Sequence, residues 1–474
     1  MKINFLINGY SEPFLMLFNT LKKDRVNKLF WIHHHKSEKN IISQNFNNVL
    51  CMNNYDLCKT KFCSIIGNDL KIPSGLIKVI NSEMSIIVDM ISRFEGYNSF
   101  SNNDKITYIF LQVNYWYNFL KKNEIKCYVQ FDTPHDVYDY IIYLISKYLN
   151  LNIIILQQSS FFIKNDKNID IIRILTSTNS LTSGLATFQK DFGQSKIKYQ
   201  FEKIKSAYDL SKNNSAFSQR NKLTKPTKKN IFAKFLNLIK NENLSNNYTI
   251  LDLNNISRDI SILNFKKFRY KVHKKTNKLK SYLSSHSIDL DELNKKFIYF
   301  PLQYQPERTS CPEGREYSNQ YLLIAKLRSY LDPKISIIVK EHPKQFQRET
   351  VKNQMYRSQF FYDSIMKLSN VHFINYEISS QDILSNHYIE GVSTIKGNIL
   401  LEAILNEIPA FYFGNTIWNK LENAFDCKIV ENIDNINNLL KSKISFDNEK
   451  TKKSFYLCLK NSFLSQNSIH DKYD

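Results

Sequence analysis

Glycine and proline are scarce, with ten of each in 474 residues. So few prolines exclude a Pro-rich or collagen-like chain. So few glycines leave none of the glycine loops that cradle phosphates or raise a nucleophile: no P-loop, no G-x-G-x-x-G and no G-x-S-x-G occurs. Kinase-like, dehydrogenase and α/β-hydrolase chemistries lose their support. Cysteine is thin as well. The seven (Cys51, Cys58, Cys63, Cys127, Cys311, Cys427, Cys458) are odd in number, scattered and without a C-x-x-C pair. That argues against a disulfide framework or a zinc ribbon and for a reducing compartment. Long apolar runs are missing too. The most apolar stretch, 141–156, is interrupted by Ser146, Lys147, Asn150 and Asn152, whereas a membrane helix needs about 20 largely apolar residues. The opening MKINFLINGY places Asn4 and Asn8 inside its short apolar run, so no secretory leader is expected. The expectation is a soluble or peripheral protein.

What the chain does hold is core material: 42% hydrophobic residues, 33 Phe and 28 Tyr, enough for two domains and against disorder. Its 54 Asn, with abundant Ile and Lys, fit AT-rich codons, so no Asn cluster is taken as functional. Acidic residues fall short, 44 against 65 Lys+Arg, which leaves a formal charge of +21. The excess is local. Residues 201–280 carry 19 Lys+Arg and 5 Asp+Glu, two-thirds of the whole surplus. Within them Phe265, Phe268, Val272, Leu279 and Leu283 recur at helical spacing among basic residues. This predicts a basic amphipathic helix that either docks on an anionic membrane surface or polyanion, or packs by its apolar stripe with a solvated basic face. No nucleic-acid partner is expected, because neither zinc-finger spacing nor an RNA-binding aromatic signature accompanies the charge.

Apolar periodicity predicts an α/β fold with two doubly wound Rossmann-type halves facing a central cleft. In the first half, short strands at 3–7 and 29–33 precede a helix at 106–120, a strand at 126–131, a helix at 137–149 and a buried strand at 152–156. The second half reads as strands at 296–300, 335–340, 371–374, 388–392 and 410–413, alternating with helices at 317–331, 359–368, 380–386 and 398–406. The domains expected are 1–200, a basic linker or insertion with helices over 201–290, a second Rossmann-like domain over 291–440, and a helical tail over 441–474.

Ligands of open α/β sheets bind beyond the carboxyl ends of strands. Four polar clusters fall there. The strand FIYF runs into Gln303, Gln305 and Glu307. The strand ISIIVK runs into Glu341-His342-Pro343, where the proline holds the histidine extended. Ser393, Thr394, Gly397 and Asn398 precede a helix carrying Glu402, a pattern suited to a phosphate and a ribose. In the first half CYVQF leads to Asp132-Thr133-Pro134-His135-Asp136, with Asp139 on the next helix. The run His33-His34-His35 reads as a strand-end loop rather than a metal site, since no second His/Asp/Glu cluster is spaced to complete one. Asp289-Leu290-Asp291 precedes a strand instead of following one, so it does not mark a sugar-nucleotide metal site. No metal and no cofactor are expected.

The words FPLQYQPE (300–307), VKEHPKQF (339–346), YRSQFFYDSI (356–365), GVSTIKGNILLEAILNEIPAFYFGN (391–415) and TPHDVYDYIIYLISKYLNLNIIILQQS (133–159) resemble the capsule polysaccharide biosynthesis group of bacterial glycosyltransferases. That group is related to Kdo transferases and to sialyltransferases with a His-Pro word. Gln303 stands where such proteins usually carry a histidine. The resemblance implies a GT-B fold and metal-independent transfer from a CMP- or NDP-linked sugar to a surface polysaccharide or lipid-linked glycan. It implies His342 beside the donor phosphate, in protonated form, with Lys340 and Arg357 as charge partners. Donor contacts would come from Gln305, Glu307, Lys340, Glu341, Pro343, Arg357, Ser393, Thr394, Gly397, Asn398 and Glu402. The base or nucleophile would be Asp136, His135 or Asp139. With lipid-linked acceptors, the basic segment 201–280 is expected to dock the protein on the inner leaflet, a cytoplasmic, peripheral place on the inner face of the inner membrane. A non-hydrolysing nucleotide-sugar epimerase and a non-catalytic component of a capsule machine are the alternatives.

Overall fold

A computed structural model describes residues 2–10, 15, 26–57, 72–93, 101–163, 167–176, 262–347, 356–416, 418–442, 446–459 and 462–465. The chain divides into two compact units. The first holds β1 (Ile3–Asn8), β2 (Val26–His33), β3 (Val49–Asn53), β4 (Ile125–Phe131), β5 (Asn152–Ile163) and β6 (Lys167–Thr176). The second holds β7 (Ser287–Ile288), β8 (Phe297–Pro301), β9 (Ser336–Lys340), β10 (Val371–Ile374), β11 (Ile389–Thr394), β12 (Ala410–Tyr412) and β13 (Ala424–Asp426). The last strand, β14 (Ser462–Ser465), belongs to the sheet of the first unit.

In the first sheet the order is β14-β6-β5-β4-β1-β2-β3, with β1 to β5 parallel and β6 paired antiparallel with both β5 and β14. Phe5, Ile7, Trp31, Cys127, Val129 and Ile154 share one buried face, and helices cover a sheet whose central strands are apolar on both sides. The helix Asn102–Lys122 starts at a reciprocal capping box, Ser101 with Asp104, and ends on Lys121 and Lys122, charges that suit its dipole. The second sheet is parallel throughout, in the order β13-β12-β11-β8-β9-β10-β7. Its core gathers Ile298, Phe300, Leu323, Leu327, Val339, Tyr362, Phe373 and Phe411.

Both units are therefore doubly wound Rossmann-type domains, the parts of which a GT-B-like chain is made. In each, the chain leaves the central strand toward one edge and later returns to its other side. This reversal places a crevice at the carboxyl ends of two neighbouring strands: β1 and β4 in the first unit, β8 and β11 in the second. At the first crevice Gly9 has φ +92, and a Cβ there would lie 2.8 Å from the Phe131 Cβ. Only glycine fits this close turn from β1.

Two segments differ from the sequence expectation. The tail over 441–474 contains the helix Asn448–Leu459, but it also supplies β14, which pairs with β6 from Ser462 to Ser465. The basic helix, Ile262–Ser285, belongs to the second unit. Val272, Thr276 and Leu283 are buried and Leu279 packs on the core, while Lys271, Lys274, Lys275 and Lys278 are exposed. Residues 201–261 lie outside the described residues, and with them most of the basic segment. Among the described residues no helix is long and apolar enough to cross a membrane.

Candidate functional site

The crevice of the second unit is closed at its floor by amides. The Gln303 amide donates to the Thr394 hydroxyl across the β8/β11 reversal at 2.8 Å. The Gln303 backbone is held by Gln320, whose side chain accepts from its N–H at 2.6 Å and donates to its carbonyl at 3.2 Å. Gln345 brackets the Gln305 backbone in the same way, with both bonds at 3.1 Å. A side-chain amide can satisfy one donor and one acceptor at once, so these buried glutamines replace strand pairing where the strands end.

Behind them sits a buried ion pair. Arg357 Nε lies 2.5 Å from Glu341 Oε2, and both side chains are almost wholly inaccessible. The same guanidinium donates to the Gln305 side chain at 2.5 Å and to the Gln303 carbonyl at 3.0 Å. Glu341 also accepts from the Tyr362 hydroxyl at 2.8 Å and from the His342 N–H at 2.8 Å. Glu341 and Arg357, read from the sequence as donor contacts, thus sit inside the wall and brace the loops that end β8 and β9.

His342 stands on that brace. Its Nδ1 accepts the Lys344 N–H at 3.2 Å, which leaves the proton on Nε2. Burial, then Lys344, Lys340 and Arg357, push its pKa down to about 4. The protonated His342 expected from the sequence is therefore corrected: the imidazole is neutral at neutral pH and offers Nε2–H as a donor. Lys340, at the end of β9, donates to Ser380 Oγ at 3.3 Å, and Tyr299 shares that hydroxyl at 3.1 Å. Burial lowers the Lys340 pKa to about 8, with Glu402 and Asp382 opposing. Burial raises Glu402 to about 7, with Lys340 opposing. An acid and a base both titrate near neutrality here.

The remaining residues of this cluster are placed as follows. Ser393 and Thr394 are fully buried in β11; Ser393 Oγ has no hydrogen-bond partner, and the Thr394 hydroxyl is bonded to Gln303 and to the Lys396 carbonyl. Their hydroxyls shape the floor rather than line an open surface. Gly397, at φ +135, faces Gln303 with its Cβ position 3.8 Å from the amide oxygen, and Asn398 opens the helix Ile399–Leu405 that carries Glu402. Pro343 is partly buried, and Glu307 is exposed, accepting from the Thr309 hydroxyl at 3.0 Å. Residues that the sequence reading missed are Gln320, Gln345, Tyr362, Ser380 and the buried ion pair of Lys396 with Glu313. Only the glutamine-rich wording after FIYF hinted at them.

The first unit's crevice has the same construction. Asn8 at the end of β1 donates to Gln130 of β4 at 2.8 Å, and Tyr138 donates to Asn8 at 3.1 Å. Asp139 Oδ2 accepts from the Gln130 amide at 3.3 Å and from the His135 N–H at 3.2 Å. Burial, then Asp136, raises Asp139 well above the usual carboxylate range. Asp136 is the N-cap of the helix Val137–Tyr148. His34, from the loop after β2, feels the charges of Asp136 and His135. His135, Asp136 and Asp139 are thus neighbours in one cluster. Among the described residues no three His, Cys, Asp or Glu side chains converge as metal ligands.

No family model matches the chain, and no curated protein matches it. Solved structures do align over most of its length. A UDP-GlcNAc 2-epimerase from Methanocaldococcus jannaschii is 12% identical, covering 97% of this chain and 99% of its own, at a TM-score of 0.24. KpsC of Thermosulfurimonas dismutans, a beta Kdo 2,7 transferase, is 10% identical over 85% and 92%, at 0.30. A glycosyltransferase from Rickettsia africae is 10% identical over 98% and 94%, at 0.24. At overlaps this low, the chemistry of the site has to be read from its own residues.

Proposed function

We propose that the chain is a nucleotide-sugar enzyme that binds its donor in the second unit and transfers the glycosyl group to a hydroxyl of a surface polysaccharide or lipid-linked glycan. The observation that carries this reading is the set of groups after the carboxyl ends of β9 and β11, on either side of β8: neutral His342, Lys340 and Glu402 beside an amide-braced floor. In glycosyl transfer, negative charge develops on the departing phosphate. The Nε2–H of His342 and the ammonium of Lys340, charged below about pH 8, are donors fixed in place before that charge appears. The Glu402 carboxylate would accept the ribose hydroxyls, and Gly397 would let the backbone come close to a phosphate.

A second reading, epimerisation of a nucleotide sugar, is favoured by one observation. Glu402 at about 7 and Lys340 at about 8 can both give and take protons at neutral pH, as isomerisation at carbon requires. Calorimetry across CMP-, UDP- and GDP-sugars tests both readings. Binding of one donor class is expected, and incubating that donor without acceptor separates the two: a new nucleotide sugar means epimerase. Failure to bind any donor sinks both and leaves a non-catalytic component.

His342→Ala should lower turnover at least roughly tenfold without unfolding the protein. His342→Gln, whose amide N–H can occupy the Nε2 position, should retain more. Turnover equal to the wild type in the Ala variant would remove His342 from the reaction.

Peripheral attachment is proposed through the basic segment 201–280, of which the exposed lysines of Ile262–Ser285 are the described part. Cosedimentation with vesicles should rise with the fraction of anionic lipid and fall as salt approaches about 0.5 M, where screening is strong. Binding indifferent to both would exclude an electrostatic anchor.

A further inference from the structure

Alternation along parallel strands puts Tyr299 of β8 and Lys340 of β9 on one face of the second sheet, opposite the core that holds Ile298, Phe300, Ile337 and Val339. There both meet Ser380, the first residue of the helix Ser380–Leu384. Tyr299 is 0% exposed, and among the described residues its hydroxyl has one partner, Ser380 Oγ at 3.1 Å. A buried O–H left without an acceptor is costly, so the tyrosine donates and the serine accepts. Lys340 is 4% exposed and gives one of its three N–H groups to the same Oγ at 3.3 Å. With both lone pairs of Ser380 taken, its own proton must turn elsewhere. Among the described residues that proton meets no acceptor, and neither do the other two N–H groups of Lys340. Glu402 and Asp382 act on Lys340 through their charge, and among the described residues neither is hydrogen-bonded to it.

We propose that Ser380 binds the donor nucleotide, and that it and Lys340 together direct one O–H and two N–H groups at one of its phosphates. This rests on the nucleotide-sugar reading above and adds a residue that none of the polar words at the strand ends contains. A set made only of donors selects a ligand group that only accepts. A ribose hydroxyl or a base amino group would bring its own proton against these three. A phosphate oxygen brings lone pairs, and a charge that matches the ammonium. Lys340 carries that charge at pH 7, since its pKa stands at about 8. The ribose is left to Glu402, which accepts. Tyr299 is a positioning residue: by occupying one lone pair of Ser380 it fixes where the serine proton points. The Ser379 hydroxyl, which accepts from the Asp382 N–H at 3.0 Å, holds the turn that carries Ser380.

The test uses the full-length protein, the nucleotide of the donor class found by calorimetry, and the matching nucleoside, which has no phosphate. Ser380→Ala should weaken nucleotide binding roughly 10-fold, the loss of one hydrogen bond to a charged group, and leave nucleoside binding within about twofold. Ser380→Thr keeps the hydroxyl and should bind both nearly as the wild type does. Tyr299→Phe should weaken the nucleotide alone, by roughly threefold, because the Ser380 hydroxyl then loses its fixed direction. Equal losses for nucleotide and nucleoside in Ser380→Ala would put the hydroxyl on the ribose or the base and overturn the proposal. Nucleotide affinity equal to the wild type in that variant would also overturn it. A wild type that binds no nucleotide at all would instead mean that the nucleotide-sugar reading has failed, and the proposal with it.

Discussion

Glu341→Ala should destabilise the second unit by about 3–5 kcal/mol, the usual loss when one partner of a buried ion pair is removed. The reason lies in what it leaves behind. Arg357 is 2% exposed, and without Glu341 its guanidinium would be a buried charge with only neutral partners, the Gln305 side chain and the Gln303 and Tyr356 carbonyls. Tyr362 would lose the acceptor of its hydroxyl, and the His342 N–H would lose its own. The measurement is the urea midpoint followed by a probe in the second unit, because a two-unit chain need not unfold in one step. Glu341→Gln should fall between wild type and Ala. The pairing itself is tested by replacing both groups, Glu341→Leu with Arg357→Met. Such apolar replacements of a buried pair are often neutral or stabilising, so the double variant should recover most of the loss. If it folds but no longer binds donor, the pair serves to hold His342 and Gln305 in place. If Glu341→Ala melts like wild type, the brace is not part of the stability of the unit.

The same residues show how far sequence alone reaches. Strands such as 371–374 and helices such as 137–149 were legible because one apolar period runs through them, and their observed bounds differ by at most a residue or so. The polar words at strand ends were legible because parallel sheets put ligands there. Partnerships were not. Glu341 and Arg357 read as ligand-facing charges, since a charged side chain is almost never fully buried unless paired, and the pairing spans sixteen residues and two elements. β14 is four residues long, too short for alternation to announce it, and it is a strand only because β6 offers an edge. The neutral His342 follows from burial and three neighbouring cations, a sum over space that a His-Pro word does not contain.

Glu402→Gln should stabilise the protein near neutral pH and at the same time weaken donor binding. The folded-state pKa of Glu402 is raised to about 7 from 4.5, so the native state holds this proton more firmly than the unfolded chain. Stability is then favoured at low pH and declines as pH climbs from about 4.5 to about 7, to a limit of about 3 kcal/mol for a shift of this size. Glutamine cannot ionise and escapes that decline. Part of the gain is lost again, because the charged Lys340 also loses the carboxylate that most opposes its shift, and a net gain of about 1–2 kcal/mol at pH 7.5 is expected. Lys340 itself, lowered to about 8 from 10.5, stays protonated over most of this window. It contributes the opposite trend, stability regained between about pH 8 and 10.5, which lies above the measurement. Melting curves of wild type and variant should therefore nearly coincide at pH 5 and diverge by pH 7.5. For the donor the sign reverses. A hydrogen bond to a carboxylate is worth about 1.5–3 kcal/mol and one to a neutral amide about 0.5–1.5, so affinity should drop roughly 5–10-fold in the variant. In the wild type, affinity should strengthen as pH rises through about 7, and in the variant that dependence should vanish. Diverging melts with unchanged donor affinity would leave Glu402 as a buried acid with no part in binding. Melts that coincide at every pH would mean that the carboxylate is ionised at no cost, and the near-neutral acid–base pair with Lys340 would have to be abandoned.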